Sequence, residues 1–293
     1  MNKTLRSFVA IGIAISIAVG LSVALAEGSI SLFGLPAVVV CAIVSFAIQW
    51  LMFLPSFYFQ TEHYFDLTGS LTYIGLIALL MFAGTEHDAR SVLVSLLVII
   101  WAGRLGNFLF LRVKKAGKDG RFDVIKQSWP RFLVTWTLQG LWVFVTLLAA
   151  LVVITNRNSV PLGGFAYVGL FLWALGFGIE VVADSQKTVF NRDVANAGRF
   201  VNVGLWSWSR HPNYFGEIVL WTGIAVIAVP LLQGWQWLAL VSPIFVTLLL
   251  TKISGIPLLE KRADEKWGEA PEYQAYKAST SVLLPMPPRG SNV

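Results

Sequence analysis

Eight long apolar runs, separated by short polar loops, decide what this chain can fold into. They cover approximately residues 5–26, 35–59, 67–84, 90–112, 131–154, 163–183, 216–231 and 234–251. Most reach the roughly 17–25 residues that cross a bilayer as helix. Backbone polar groups in hydrocarbon must be satisfied within their own segment, and the alternation of a membrane barrel is absent, so the runs read as helices. Composition agrees. Of 293 residues 56% are hydrophobic and 13% charged, whereas a soluble domain carries about 25% charged residues. The predicted fold is an all-α, polytopic membrane bundle of seven to eight transmembrane helices, forming a single integral membrane domain over 1–293. The last two runs are short and meet at Pro230–Gly234, so they predict either a full hairpin or a partly re-entrant one. Pro55 is expected to kink or end the second run.

The net charge of +6 is explained by topology rather than by nucleic acid. With the N-terminus inside, the inner segments collect every lysine and arginine except Arg90 and Arg157, in outer loops, and Arg104, within a helix. This positive-inside bias predicts both termini in the cytoplasm. Lys3 and Arg6, an apolar run and Ala24-Leu25-Ala26 before Glu27 resemble a cleavable signal peptide. The run is longer than a signal core, so an uncleaved first helix is expected. Cys41 is a lone cysteine, and His63, His87 and His211 lie far apart. No metal cage of histidines or cysteines is expected, and nothing calls for a protein partner.

Polar chemistry concentrates in Gly204-Leu205-Trp206-Ser207-Trp208-Ser209-Arg210-His211-Pro212-Asn213-Tyr214-Phe215-Gly216-Glu217, which closes a cytoplasmic loop and opens a helix. Arg210 offers a fork of donors for phosphate or carboxylate. His211, Asn213 and Tyr214 add adjustable hydrogen bonds, and Glu217 stands about one turn beyond Asn213 at the membrane edge, where an ionisable group marks a functional site by default. The competing reading is an interfacial loop with a snorkelling arginine.

This stretch closely resembles the steroid 5-alpha-reductase C-terminal family, in its bacterial branch once described only as a domain of unknown function. The resemblance continues in GFGIEVVADSQKTVFN, SGIPLLEKRADEKWG, PEYQAYK, WAGRLGNFLFLRV and FDLTGSLTY, and covers roughly residues 60–285; residues 1–60 hold the N-terminal helices outside it. It implies a multi-pass protein of the bacterial inner membrane that uses NADPH to reduce a carbon–carbon double bond conjugated to a ketone in a steroid-like or other apolar lipid. Carried over by motif, Arg210, His211, Asn213, Tyr214, Glu217 and Asp184 would line the cofactor cavity. Lys187, Arg199 and Arg262 are further candidates for its phosphates by charge and position. Arg104, in mid-helix, needs an anionic partner, for which a cofactor phosphate or Glu180 would serve.

One departure matters. The steroid reductases carry a Gln-Glu pair before Leu-Pro-Ser, where this chain reads Met52-Phe53-Leu54-Pro55-Ser56, and Trp101 replaces the tyrosine expected before the helix arginine. A substitute constellation is Glu62 and Asp66 at the membrane boundary, with Asp66, Ser70 and Tyr73 on one helix face at i, i+4, i+7. Tyr73 could give a proton to an enolate, with the carboxylates as relay to water. The plain alternative is an N-terminal aspartate above a helix-packing face.

Two other functions compete. Isoprenylcysteine and phospholipid methyltransferases share an R-H-P-x-Y-x-G turn and an E-x-x…Y-x-x-Y tail, which Glu260, Tyr273 and Tyr276 fit loosely; their cofactor is S-adenosylmethionine. A non-catalytic lipid-binding protein on the same scaffold is the third reading.

Overall fold

A computed structural model describes residues 2–83 and 87–288. Arg289 and the side chain of Lys3, both counted in the charge bias, lie outside the described residues. Ten α-helices follow in order: α1 Lys3–Ala24, α2 Ala37–Tyr58, α3 Phe65–Ala83, α4 Ala89–Ala116, α5 Trp129–Thr155, α6 Gly164–Arg192, α7 Pro212–Ala228, α8 Val241–Leu248, α9 Ile256–Trp267 and α10 Pro271–Ser279. Among the described residues eight segments are long and apolar enough to cross a membrane. Each expected run is found, and Pro55 sits within the last turn of α2. The eighth segment is a composite. A 3-10 helix over Gly234–Leu240 leads into α8, which widens into a π turn over Leu249–Ile253 before α9. Gly255 follows that turn so closely that a Cβ there would sit on the Leu250 carbonyl.

The chain resolves into two compact units. The first comprises Met1–Ala166 with Ile227–Ser242 and is built around α5, which packs on α1, α2, α3 and α4. Its residues from Leu141 to Thr155 form one buried run apart from the half-buried Trp142. Lipid tails are as apolar as leucine, so helix association in a membrane rests on close packing and on hydrogen bonds between helices. Both occur here. Ser45 donates to the Gly140 carbonyl at 2.9 Å, the Gln49 amide to Thr72 Oγ1 at 2.8 Å, the Trp50 indole to Thr137 Oγ1 at 3.0 Å and the Gln139 amide to the Phe65 carbonyl at 2.8 Å. Gly106 lets α4 approach Ser70 of α3 closely.

The two ends of this unit differ chemically. One end gathers the starts of α1, α3 and α5, the ends of α2 and α4, and the basic segment 117–128. There Glu62 holds Lys126 at 2.6 Å and accepts from the Asp119 backbone N–H at 3.0 Å, while Asp66 pairs with Arg121 at 3.3 Å and Arg112 at 3.7 Å. Phe53, Phe65, Phe122, Phe132 and Trp136 pack beneath this clamp. The other end carries a two-residue antiparallel pairing, Ser31–Leu32 with Leu35–Pro36, and Arg90. Arg90 was counted with the outer loops, yet it is buried and donates to the carbonyls of Ile227, Val160 and Pro161 at 2.6, 3.3 and 2.8 Å. The guanidinium spends its charge on helix and loop carbonyls, which makes it structural rather than topological.

The second unit comprises Tyr167–Val226 and Pro243–Val293. Its core contact is a glycine-mediated seam between α6 and α7. A Cβ on Gly176 would lie 2.5 Å from the Gly216 carbonyl, one on Gly216 would meet the Gly176 carbonyl at 2.5 Å, and one on Gly223 would meet the Gly169 carbonyl at 2.5 Å. The two backbones therefore touch along their length, in the manner of small-residue membrane interfaces.

Candidate functional site

The glycine seam fixes which polar groups meet at the α6–α7 end. On α6, Trp173, Gly176, Glu180 and Asp184 share a buried face, spaced at i, i+3, i+7 and i+11. On α7, Asn213 and Glu217 stand one turn apart. With Gly176 against Gly216, Asn213 comes opposite Asp184, and its amide donates to Asp184 Oδ1 at 3.1 Å. Glu180 and Glu217 are both buried, one turn deeper along the same seam.

The loop before α7 is fastened to α6. The Trp206 indole donates to the Ala183 carbonyl at 2.9 Å, the Leu205 backbone N–H to Gln186 Oε1 at 2.9 Å, and Lys187 stands over the Trp206 ring, 4.7 Å from its centroid. Gly204, at φ +59°, turns the chain where its missing side chain makes room for Gln186. The far side of the loop is held by the C-terminal tail. Arg210 N–H donates to the Ser281 carbonyl at 2.8 Å, Ser209 Oγ to the Leu283 carbonyl at 2.8 Å and Met286 N–H to the Trp208 carbonyl at 3.0 Å.

Arg210 and His211 converge on Glu260 of α9, at 3.3 and 2.8 Å. Arg210 also donates to the Lys277 carbonyl at 3.2 Å. Glu260, Asp264 and Trp267 share one helix face, and Lys277 of α10 reaches Asp264 at 2.6 Å. Tyr276 donates to the Trp206 carbonyl at 2.6 Å, and Tyr273 to Asp264 at 3.3 Å. Phe200 packs against Trp267, Tyr273 and Tyr276, and the His211 ring stacks on Tyr214 at 5.7 Å. Burial pushes the His211 pKa below the ordinary imidazole value; Glu260 opposes this through its hydrogen bond and charge, without reversing it. His211 is therefore neutral near pH 7. A neutral ring bonded to a carboxylate through Nε2 carries its proton there, leaving Nδ1 as an acceptor. Burial also lifts the Tyr273 phenol to about 12, with Glu260 and Asp264 adding to the shift.

Of the residues singled out from sequence, the second unit brings together Asp184, Lys187, Arg210, His211, Asn213 and Tyr214, with Glu217 in the same seam. Arg199 and Arg262 are exposed and stand outside this cluster. Arg104, on α4, is half-buried, with its guanidinium 5.2 Å from the Phe108 ring centroid. Tyr73 is buried and meets Trp101 edge-to-face at 5.1 Å. Asp66, Ser70 and Tyr73 do share one face of α3, but Glu62 and Asp66 are engaged by Lys126, Arg121 and Arg112. Asp264, Lys277 and Phe200 escaped the sequence reading. The loose fit of Glu260, Tyr273 and Tyr276 to a methyltransferase tail was the sequence signal that lay nearest to them. Among the described residues no group of three His, Cys, Asp or Glu could hold a metal ion.

A helical membrane protein of many spans, with a dense polar lock of arginine, histidine, amide and carboxylates at one end of its closing helices, is the class these features define. The chain belongs to the family described as protein of unknown function (DUF1295), which matches residues 52–280. An uncharacterized protein of Schizosaccharomyces pombe is 24% identical over 241 residues, covering 70% of this chain and 67% of the relative. A probable O-methyltransferase of Ustilaginoidea virens is 28% identical over 154 residues, 43% of this chain; the match spans about half, 54%, of that relative's length. No solved structure matches.

Proposed function

We propose that this chain is a membrane enzyme that binds a soluble cofactor at the Arg210–Glu217 turn and presents it to an apolar lipid drawn laterally from the bilayer. The reading favoured by the sequence motifs is NADPH-dependent reduction of a double bond conjugated to a ketone. The observation that supports it is the Asn213–Asp184 pair beside Lys187. An amide and a carboxylate held side by side offer the donor and acceptors that grip ribose hydroxyls or a carboxamide, and a cation one turn away suits a phosphate. The fit is partial, because Arg210 and Lys277 are committed to Glu260, Asp264 and a carbonyl. When bound, the nicotinamide supplies the hydride; this chain orients it and polarises the substrate.

Methyl transfer from S-adenosylmethionine is the second reading, supported by one arrangement and one relative. His211 and Arg210 lock onto Glu260 beside Tyr273 and Tyr276, in the order of the methyltransferase motif, and one relative is named a probable O-methyltransferase. A sulfonium cofactor carries no phosphate, so cations spent on Glu260 are no loss to it. The two readings separate in one experiment, the apparent melting temperature of the detergent-purified chain with NADPH, NADH or S-adenosylmethionine. A ligand at 100 times its Kd stabilises by about 2.7 kcal/mol. The expected result is a rise with NADPH that Asn213→Ala removes. A rise with S-adenosylmethionine alone establishes the methyltransferase reading, and no rise with any of the three overturns both.

A further inference from the structure

At the basic end of the first unit, α1 and α5 run parallel and leave between their first turns an open groove of about 470 Å³, continuous in its lining with a second of about 240 Å³. Arg6 and Arg131 stand on its two walls. Both are exposed, and among the described residues neither makes an ion pair. Nearby cations of this end are spent otherwise: Lys126 on Glu62, Arg121 on Asp66 and Asp119, and Lys118 on Asp123.

Below the two guanidiniums the groove becomes apolar. On α1 the stripe through Arg6 continues as Ala10, Ile13 and Ile17, at i+4, i+7 and i+11, and on α5 the stripe through Arg131 continues as Val134 and Leu138. Ile13, Ile17 and Leu138 are all exposed on the surface of the bundle. Trp129 stands at the rim, edge-on to Phe8 at 5.8 Å, in the place where amphipathic rings mark the boundary between headgroups and hydrocarbon. Two cations above paired apolar stripes match one kind of occupant in charge and length, a phosphate attached to an acyl chain.

We propose that this groove is a binding site for an anionic phospholipid of the leaflet that the basic segments face, with Arg6 and Arg131 holding the headgroup phosphate and one acyl chain lying along the α1–α5 stripes. The inference is independent of the cofactor assigned to the second unit.

Native mass spectrometry of the detergent-purified full chain tests it, with phosphatidylglycerol compared with phosphatidylcholine of the same acyl chains. The wild-type chain is expected to retain phosphatidylglycerol in preference. Arg6→Gln with Arg131→Gln should reduce that preference roughly tenfold or more, since each cation near an anionic surface contributes appreciably. Lys261→Gln with Lys266→Gln removes two exposed cations from α9 and should leave the preference unchanged. Equal losses in the two double variants would mean diffuse charge attraction and overturn the site, as would an unchanged preference in the arginine pair. Displacement of the lipid by equimolar inorganic phosphate would also overturn it, because the acyl chain would then contribute nothing. The melting temperature of each variant is recorded alongside, and Arg6→Lys with Arg131→Lys, which keeps both charges, should retain the preference.

Discussion

His211 shows how one side chain can carry a pH signature. Its pKa is depressed by burial, so between the ordinary value of about 6.5 and the lower folded value the unfolded chain binds more protons than the folded one. Stability then rises with pH across that window and falls as the pH drops through it. Thermal unfolding followed from pH 7.5 to 5 should show this loss, and His211→Gln should flatten the slope. A slope equal in the variant would assign the pH dependence elsewhere. The Glu62–Lys126 pair makes a second residue-scale case. The Glu62 side chain is fully buried. Burial works to raise its pKa, but hydrogen bonds from Lys126 and the Asp119 N–H, with the Lys126 charge, prevail and lower it. Lys126→Met strands that carboxylate and should cost about 3 kcal/mol, in line with broken buried pairs. Adding Glu62→Gln should recover much of the loss, as a melting curve of the double variant would show.

Among the elements, the α6–α7 seam governs the candidate site because it sets the register of Asp184 against Asn213. Gly216→Leu places a side chain on the Gly176 carbonyl and the Glu180 backbone N–H. Neither backbone atom can yield without separating the helices. A loss of at least 2 kcal/mol is expected, within the range of overpacked cores, and under the proposed cofactor reading NADPH should no longer raise the melting temperature. Gly12→Ala and Gly20→Ala on α1 meet nothing within 4 Å and should leave the melting temperature within about 1 °C. If Gly216→Leu behaved like these two, the seam would not be the organising contact.

At the scale of the whole molecule, hydropathy and charge made the architecture readable in advance. Each of the eight apolar runs, from which seven to eight spans were expected, coincides with a helical segment long and apolar enough to cross a membrane among the described residues, because a span must be both long and continuous to satisfy its backbone in hydrocarbon. The basic bias likewise anticipated where Arg112, Arg121, Lys126 and Arg131 cluster, at the same end of the first unit. Arg90 was misread because nothing in its neighbourhood announces three distant carbonyls converging on one guanidinium. The turn Arg210–Glu217 stood out because so many polar residues sit against an apolar helix, and the Asp66–Ser70–Tyr73 face followed from helical spacing alone. What the tertiary structure decided is the partnership of each polar group. Glu62 and Asp66, one of the readings for a proton relay, bind a basic loop, while Arg210, read as a fork for phosphate or carboxylate, and its neighbour His211 are held by Glu260, some fifty residues away. Spacing along a helix is set by its 3.6-residue turn and is visible locally. A charge's partner is chosen by which helices pack together, here through glycines whose role appears only when two backbones touch.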